Sequence, residues 1–317
     1  MTARYSGMTR IPKTDLDVFP LSLGGNVFGW TANEEQSFAV LDAYAAAGGN
    51  FIDTADMYSC WAPGNSGGES ETIIGRWMKT RGNRKKMVIA TKVGKLPRLL
   101  GLSTKTIQRA AEDSLERLQT DHIDLYYAHE DDRSTPLVES LASFDGLVRS
   151  GKVRYIAASN YHGQRLAEAL RASRREGFAE YVALQPHYNL MEREKYEGEL
   201  ADTVAAEGLG SLPYFSLASG FLTGKYRGSG KVDSKRAEGA SAYLNDKGRK
   251  VLGALDQIAG ARKEAVATIA LAWLAAQPNV VAPIASARTP DQLPPLLRVA
   301  DVHLTKEEIL KLSAASA

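Results

Sequence analysis

Short apolar runs alternate with amphipathic helical stretches along almost the whole of this 317-residue chain. The runs are "FPLSLG" (19–24), "NFID" (50–53), "MVIATK" (87–92), "HIDLYYAH" (122–129), "VRYIAASN" (153–160), "YVALQ" (181–185), "LGSLPYF" (209–215) and "NVVAPIA" (279–285). Helical periodicity follows each in turn, over 34–47, about 70–79, 104–118, 136–150, 162–175, about 192–207, roughly 245–276 and 290–298. A nearly continuous apolar run suits a strand buried on both faces, and repeated strand–helix alternation predicts a parallel sheet. Eight such units in one chain of this length favour an α/β fold of one domain, a closed (β/α)8 TIM barrel spanning 1–317, over an open doubly wound sheet.

Three segments fall outside the alternation. "YSGMTRIPKTDLDVF" (5–19) is expected to form a polar N-terminal hairpin ahead of the first run. "DVHLTKEEILKLSAA" (301–315) is expected to add a C-terminal helix, and its Thr305 and Glu308 make a T-x-x-E capping box. The Gly- and Ser-rich stretch 226–244 is charged and aperiodic, which predicts a mobile surface loop.

Composition narrows the partners. Lys and Arg number 39 and Asp and Glu 37, a net charge of +2, so no overall field favours nucleic acid or an anionic membrane. The basic run "RGNRKK" (81–86) is short and reads as a solvated loop. Cys60 is the single cysteine, which excludes an internal disulfide and fits a reducing compartment. No signal-type apolar segment follows Met1 and no long uncharged run could span a bilayer, so the expectation is a soluble cytoplasmic protein. The histidines and Cys60 show no metal-ligand spacing. The number of copies in the assembly is left open.

Polar residues cluster at the ends of the apolar runs. Asp53 ends the second, Lys92 the third, His129 the fourth, Ser159 and Asn160 the fifth and Gln185 the sixth, while Tyr214 lies at the end of the seventh. In a (β/α)8 barrel the carboxyl ends of the strands converge on one face, where active sites sit, so these residues are expected to meet. Their types fit one chemistry. Tyr58, five residues past Asp53, can act as a general acid toward a carbonyl oxygen. A phenol titrates near 10, so Lys92 is expected to bring it down, with Asp53 holding the ammonium charged and His129 donating to the carbonyl oxygen. No side chain supplies a hydride, so a nicotinamide cofactor must. Yet "LGGNVFG" (23–29) has the wrong spacing for G-x-G-x-x-G, and no G-x-x-x-x-G-K-[ST] occurs.

From about Phe19 onward the chain resembles the aldo-keto reductases. The stretches that carry the likeness are "NFIDTADMY", "GGESETIIGRW", "IATKVG", "AEDSLERLQTDHIDLYYAH", "GLVRSGKVRYIAASN", "LQPHYNLMER", "SGFLTGKY" and "PIASARTPDQL". The resemblance implies a catalytic tetrad of Asp53, Tyr58, Lys92 and His129, and NADP(H) bound across the barrel mouth without the missing glycine fingerprint. It further implies that Ser159, Asn160 and Gln185 hold the nicotinamide carboxamide and Tyr214 stacks on its ring. Gly25, Asn26, Val27, Ser216, Leu217, Ser219, Gly220, Leu222, Lys225 and Ile284, with Asp53, would line the cofactor groove. Arg288, with Ser286 and Gln292, would meet the adenosine 2′-phosphate, for which an arginine fork is suited. Three positions depart from the family pattern: "FSL" (Phe215, Ser216, Leu217) where Ser-Pro-Leu is frequent, Ser286 where glycine is common, and Leu296 where an asparagine often meets adenine.

The expected activity is NADPH-dependent reduction of an aldehyde, ketone or open-chain sugar to the alcohol, with Tyr58 as general acid. Two rivals keep the fold: a redox-sensing NADP(H)-binding subunit, as in the potassium-channel β subunits this family also resembles, and an NAD-linked sugar or alcohol dehydrogenase. Trp30 and Trp61 follow strand ends and are expected to wall a substrate pocket. Trp77 and Trp273 read as core, Lys152 and Arg154 as stabilising residues of the opposite face, and Cys60 as an inert thiol.

Overall fold

The computed structural model describes residues 7–227, 235 and 237–317. Twelve strands occur among them: β1 (Thr9–Arg10), β2 (Asp17–Val18), β3 (Ser22–Gly24), β4 (Phe51–Asp53), β5 (Val88–Val93), β6 (Lys95–Leu96), β7 (Leu99–Leu100), β8 (Ile123–Ala128), β9 (Val153–Ser159), β10 (Tyr181–Gln185), β11 (Gly210–Ser211) and β12 (Ile284–Ala285). The helices are α1 (Glu34–Ala46), α2 (Glu69–Arg81), α3 (Thr104–Leu118), α4 (Leu137–Arg149), α5 (Gly163–Glu176), α6 (Glu199–Ala206), α7 (Ala237–Ser241), α8 (Asp246–Arg262), α9 (Val266–Ala275), α10 (Pro294–Leu297) and α11 (Lys306–Ala315).

Eight strands form one parallel sheet in the order β11-β10-β9-β8-β5-β4-β3-β12. All eight apolar runs therefore reach the sheet. The sheet curls far enough that Ser211 of β11 bridges in parallel to Val280, just ahead of β12. Ser211 N donates to Asn279 O, Val281 N to Ser211 O and Ile284 N to Pro213 O. Two apolar clusters follow from this curl. An inner one gathers Phe51, Ala90, Leu125, Tyr127, Ala157, Ala183, Leu212 and Ile284 from successive strands, and an outer one packs the opposite strand faces against the helices. Trp77 and Trp273 are fully buried in the outer cluster, as expected.

The N-terminal hairpin is present as antiparallel β1 and β2, clamped by Arg10 to Asp17 through two hydrogen bonds of 2.8 and 2.7 Å. Tyr5 and Ser6, the first residues of that expectation, lie outside the described residues. Its Ile11, Leu16 and Val18 join the inner cluster alongside Phe51 and Val88, the first residues of β4 and β5. Arg154 reaches Asp15 and Asp124, and Lys152 pairs with Glu112, so both tie down the strand-start face. The Thr305–Glu308 capping box forms at the start of α11. Close helix packing depends on Gly75 of α2, where a Cβ would lie 2.2 Å from Arg117 O in α3.

Three expected helical stretches and one expected loop are revised. The span 245–276 is two helices, because Lys263 turns into a left-handed backbone (φ 55°) after α8. The span 192–207 shrinks to α6: Asn189 Oδ1 accepts from Met191 N and Glu192 N, making a turn, and Gly198 has φ 90°. The span 290–298 is a chain of short turns around α10, with prolines at its start. Within 226–244, residues 237–241 form α7, whereas 228–234 and 236 lie outside the described residues.

Candidate active site

Lys92 lies one residue before the end of β5, fully buried at the centre of the strand-end face. Its ammonium donates to Asp53 Oδ2 at 2.7 Å, to Thr54 O at 2.7 Å and to Tyr58 Oη at 2.9 Å. Those three bonds use all the donors an ammonium has. The Tyr58 hydroxyl in turn donates to Asp53 Oδ2 at 3.2 Å, while Gln185 Nε2 donates to Asp53 Oδ1 at 2.8 Å. A tight turn brings the tyrosine back over the strand end. Tyr58 N bonds to Ala55 O, Ser59 takes φ 72°, and Ser59 Oγ anchors to Phe28 O at 2.7 Å. His129 follows directly after β8, its ring centroid 6.2 Å from that of Tyr58. Asp53, Tyr58, Lys92 and His129 thus meet, although 76 residues separate the first from the last.

The electrostatics differ from expectation at one point. Lys92 was expected to bring the Tyr58 phenol down, but the phenol is pushed well above 10. Burial is the chief cause, and the Asp53 carboxylate adds to it by charge and by hydrogen bond. The phenol is therefore held as the neutral acid. Burial also lowers Lys92, against the opposing pull of Asp53, Asp56 and Glu71. His129 is driven well below its usual range by burial and then by Lys92 and Lys95, so its imidazole is neutral. Its Nδ1 is buried without a partner, which leaves Nε2 for a ligand.

A cleft of about 680 Å³ opens over these groups. Its wall includes Asp53, Tyr58, His129, Asn26, Val27, Ser159, Asn160, Gln185, Tyr214, Ser216, Leu217, Ser219, Gly220, Lys225, Ile284, Ser286, Arg288, Gln292, Trp30 and Trp61. Gly25 and Leu222 do not reach the wall. Gly25 is wedged against Ser70, and Leu222 is fully buried in the outer apolar cluster. Lys92 stays beneath the floor, behind Tyr58. The wall also contains Thr31, Lys95, Phe215, Thr223, Lys235, Ala265, Val266, Ala267, Asp291, Pro295 and Leu296, most of which no strand-end pattern points to.

One network links the middle of the cleft to the tetrad. Tyr214 Oη donates to Asn160 Oδ1 at 2.8 Å. Asn160, in a left-handed backbone (φ 56°), donates through Nδ2 to His129 O at 2.9 Å and to Ser159 Oγ at 3.2 Å. Ser159 Oγ donates to the Gln185 carbonyl at 2.9 Å. His187 stacks on Tyr214 with ring centroids 5.2 Å apart. At the far end Arg288 N donates to Gln292 Oε1 at 2.9 Å, and Ser286 Oγ donates to Asn26 Oδ1 at 2.7 Å. Arg288, Lys225 and Lys235 all face the cleft, and none forms an ion pair among the described residues. Cations held without carboxylates suit a phosphate-bearing ligand. The residues lining this cleft therefore fit a phosphate-bearing dinucleotide.

Aromatic rings line the other end. Trp30 meets Trp61 edge to face at 5.6 Å, and Trp61 meets Tyr58 at 6.1 Å. Trp61 keeps 43% of its surface exposed, and Phe215, against Tyr214 and His187 in the middle of the cleft, keeps 45%. Cys60 is half-buried, and burial, followed by the charges of Glu69 and Asp56, pushes its thiol up, consistent with an unreactive group.

A second buried layer lies under the tetrad, and the sequence pattern does not point to it. Glu71 is fully buried, accepts from Thr91 Oγ1 at 2.6 Å, and pairs with Arg117 at 2.6 Å. Asp56 is fully buried beside them, and neither carboxyl oxygen has a hydrogen-bond partner.

The aldo/keto reductase family model matches residues 20–317. The chain belongs to the aldo/keto reductase family. It is 37% identical to an uncharacterized oxidoreductase, YrpG, of Bacillus subtilis, over 96% of this chain and 94% of that one. It is 32% identical to protein tas of Escherichia coli, over 96% of each chain. A probable voltage-gated potassium channel subunit beta of Oryza sativa is 33% identical over 95% of this chain and 94% of its own. This aldo/keto reductase is accordingly an oxidoreductase of a family that generally uses NAD(P)H. No helix among its described residues is long and apolar enough to cross a membrane, and no cluster of His, Cys, Asp and Glu there could hold a metal.

Proposed function

We propose that this aldo/keto reductase reduces carbonyl compounds to alcohols with NADP(H), using Tyr58 as the general acid. The observation that carries the proposal is the Lys92 ammonium, buried and bonded to both Asp53 and Tyr58 at the floor of the cleft. Bound NADPH supplies the hydride that no side chain can. As the carbonyl oxygen gains negative charge, Tyr58 gives up its proton to it, and Lys92 at 2.9 Å stabilises the phenolate left behind. Asp53 fixes the ammonium at 2.7 Å and the hydroxyl at 3.2 Å, so little reorganisation is needed during transfer. His129, neutral, donates from Nε2 to the same oxygen and orients it.

Ser159, Asn160 and Gln185 would hold the nicotinamide amide, with Tyr214 against the ring and kept there by Asn160 and His187. Arg288, Lys225 and Lys235 support NADP(H) over NAD(H), because a 2′-phosphate would meet cations with no competing carboxylate partner among the described residues. We also infer that the curled sheet is a closed (β/α)8 barrel, and that one domain spans 1–317. The aromatic wall of Trp30 and Trp61 beside Tyr58 favours a carbonyl compound with an apolar body over an open-chain sugar. The test is titration of the protein with NADPH and NADH, followed by turnover across aryl, alkyl and sugar carbonyls with the alcohol identified by mass. Tighter NADPH binding and alcohol formation are expected. Tight NADPH binding with no turnover of any carbonyl would instead favour a cofactor-sensing subunit.

A further inference from the structure

The buried layer under the tetrad holds an unbalanced charge count. Two cations, Lys92 and Arg117, face three carboxyl groups, Asp53, Glu71 and Asp56. Lys92 commits its donors to Asp53, Thr54 and Tyr58, and Arg117 commits its Nε and Nη2 to Glu71, the Nη2 also reaching Ser114. Asp56 receives none of these bonds. It is fully buried, and both of its oxygens lack a partner. Its backbone N–H donates to Lys92 O at 3.2 Å, which ties the loop carrying it to β5. An unpaired carboxylate sealed in such a place is far more costly than the neutral acid.

We propose that Asp56 is carried as the neutral acid and acts as a positioning residue for the Lys92–Tyr58 pair, its proton bringing the buried charges to balance. Lys92 then answers mainly to Asp53, which aims it at Tyr58. Ionisation of Asp56 adds a negative charge that holds the Lys92 proton more tightly and makes the phenolate form of Tyr58 less accessible. The groups that bear on Asp56 come from every side: Glu71 of α2, Arg117 of α3, Lys92 of β5, Tyr126 of β8 and Cys60 of its own loop. Burial and Glu71 push Asp56 up to about 8, while the charges of Arg117 and Lys92 pull the other way.

The first test needs no substrate. Infrared spectra of the wild-type protein, with ¹³C-labelled aspartate, should contain a protonated-carboxyl band at pH 7 that fades as the pH passes through about 8 and is missing from Asp56→Asn. Because the folded group binds its proton more tightly than the unfolded one, folding stability is lost as pH rises from about 4 to about 8. Asp56→Asn should therefore gain on the wild type across that window in thermal melts. The second test rests on the proposed carbonyl reduction. Between pH 7 and 9 wild-type kcat should fall about tenfold through this one proton, while Asp56→Asn keeps its pH 7 rate to within about threefold and lacks the step. No labelled band at pH 7, or an alkaline step that persists in Asp56→Asn, overturns the inference. If no carbonyl is reduced, the activity reading fails, and the infrared titration still decides Asp56.

Discussion

Replacing Lys92 by methionine probes the centre of the account without reference to any substrate. The side chain is fully buried, and its 2.7 Å partner Asp53 is 3% exposed, so neither charge is screened by solvent. Removing one member of a buried pair typically costs about 3–5 kcal/mol, because the other charge is stranded. Asp53 keeps the Gln185 amide at 2.8 Å and the Tyr58 hydroxyl at 3.2 Å, which places the cost at the lower end, about 3 kcal/mol. At roughly 2 °C per kcal/mol for a chain of this size, Lys92→Met should melt about 6 °C below the wild type. Asp53→Asn should also be destabilised, since the ammonium then faces only a carbonyl, an amide and a phenol. The double variant Asp53→Asn/Lys92→Met strands neither charge, so it should be more stable than the two single costs summed, with a coupling of about 1–3 kcal/mol. Calorimetry or urea titration of the four proteins gives the cycle. A Lys92→Met protein melting within about 1 °C of the wild type, or a strictly additive cycle, refutes the charge-pair reasoning.

Other outcomes follow from the same geometry. Arg288→Ala should weaken NADPH binding about 10–100-fold, the worth of one or two charged hydrogen bonds, and leave NADH binding unchanged in fluorescence titration. Thr305→Ala breaks the capping box of α11 and should lower stability by about 1 kcal/mol in urea unfolding. Burial, then Lys195, lowers His187 to about 4, so the unfolded chain takes up the proton first as pH falls. Stability held above about pH 6.5 should thus be lost between about 6.5 and 4, and His187→Asn should flatten that limb.

Much of this arrangement is legible in the amino-acid sequence. Alternation of apolar runs with helical periodicity gives all eight sheet strands, and the polar residue closing each run marks the face on which Asp53, Lys92, His129 and Gln185 meet. The likeness to aldo/keto reductases then places Tyr58, which sits on a loop and has no periodic signal of its own. What escapes has physical causes. The break at Lys263 depends on one left-handed lysine, a conformation that glycine ordinarily announces. The direction in which Tyr58 shifts is set first by its burial and then by the Asp53 carboxylate, and the enclosure of a loop residue has no signal in the sequence. Lys235 and Val266 join the cleft from segments remote in sequence, with nothing in their surroundings to mark them, whereas Thr223 lies between Leu222 and Lys225, both expected in the cofactor groove. Asp56 lies three residues from Asp53, between Ala55 and Met57, and only its complete enclosure separates it from a loop carboxylate.

The most direct test of the central claim is NADPH consumption by Tyr58→Phe beside the wild type, on any carbonyl the wild type reduces. The phenylalanine keeps the ring against Trp61 and His129 and removes only the hydroxyl between Asp53 and Lys92. Loss of a positioned general acid should lower kcat by about 10²–10⁴-fold with NADPH affinity preserved. Turnover at the wild-type rate would contradict Tyr58 as the proton donor.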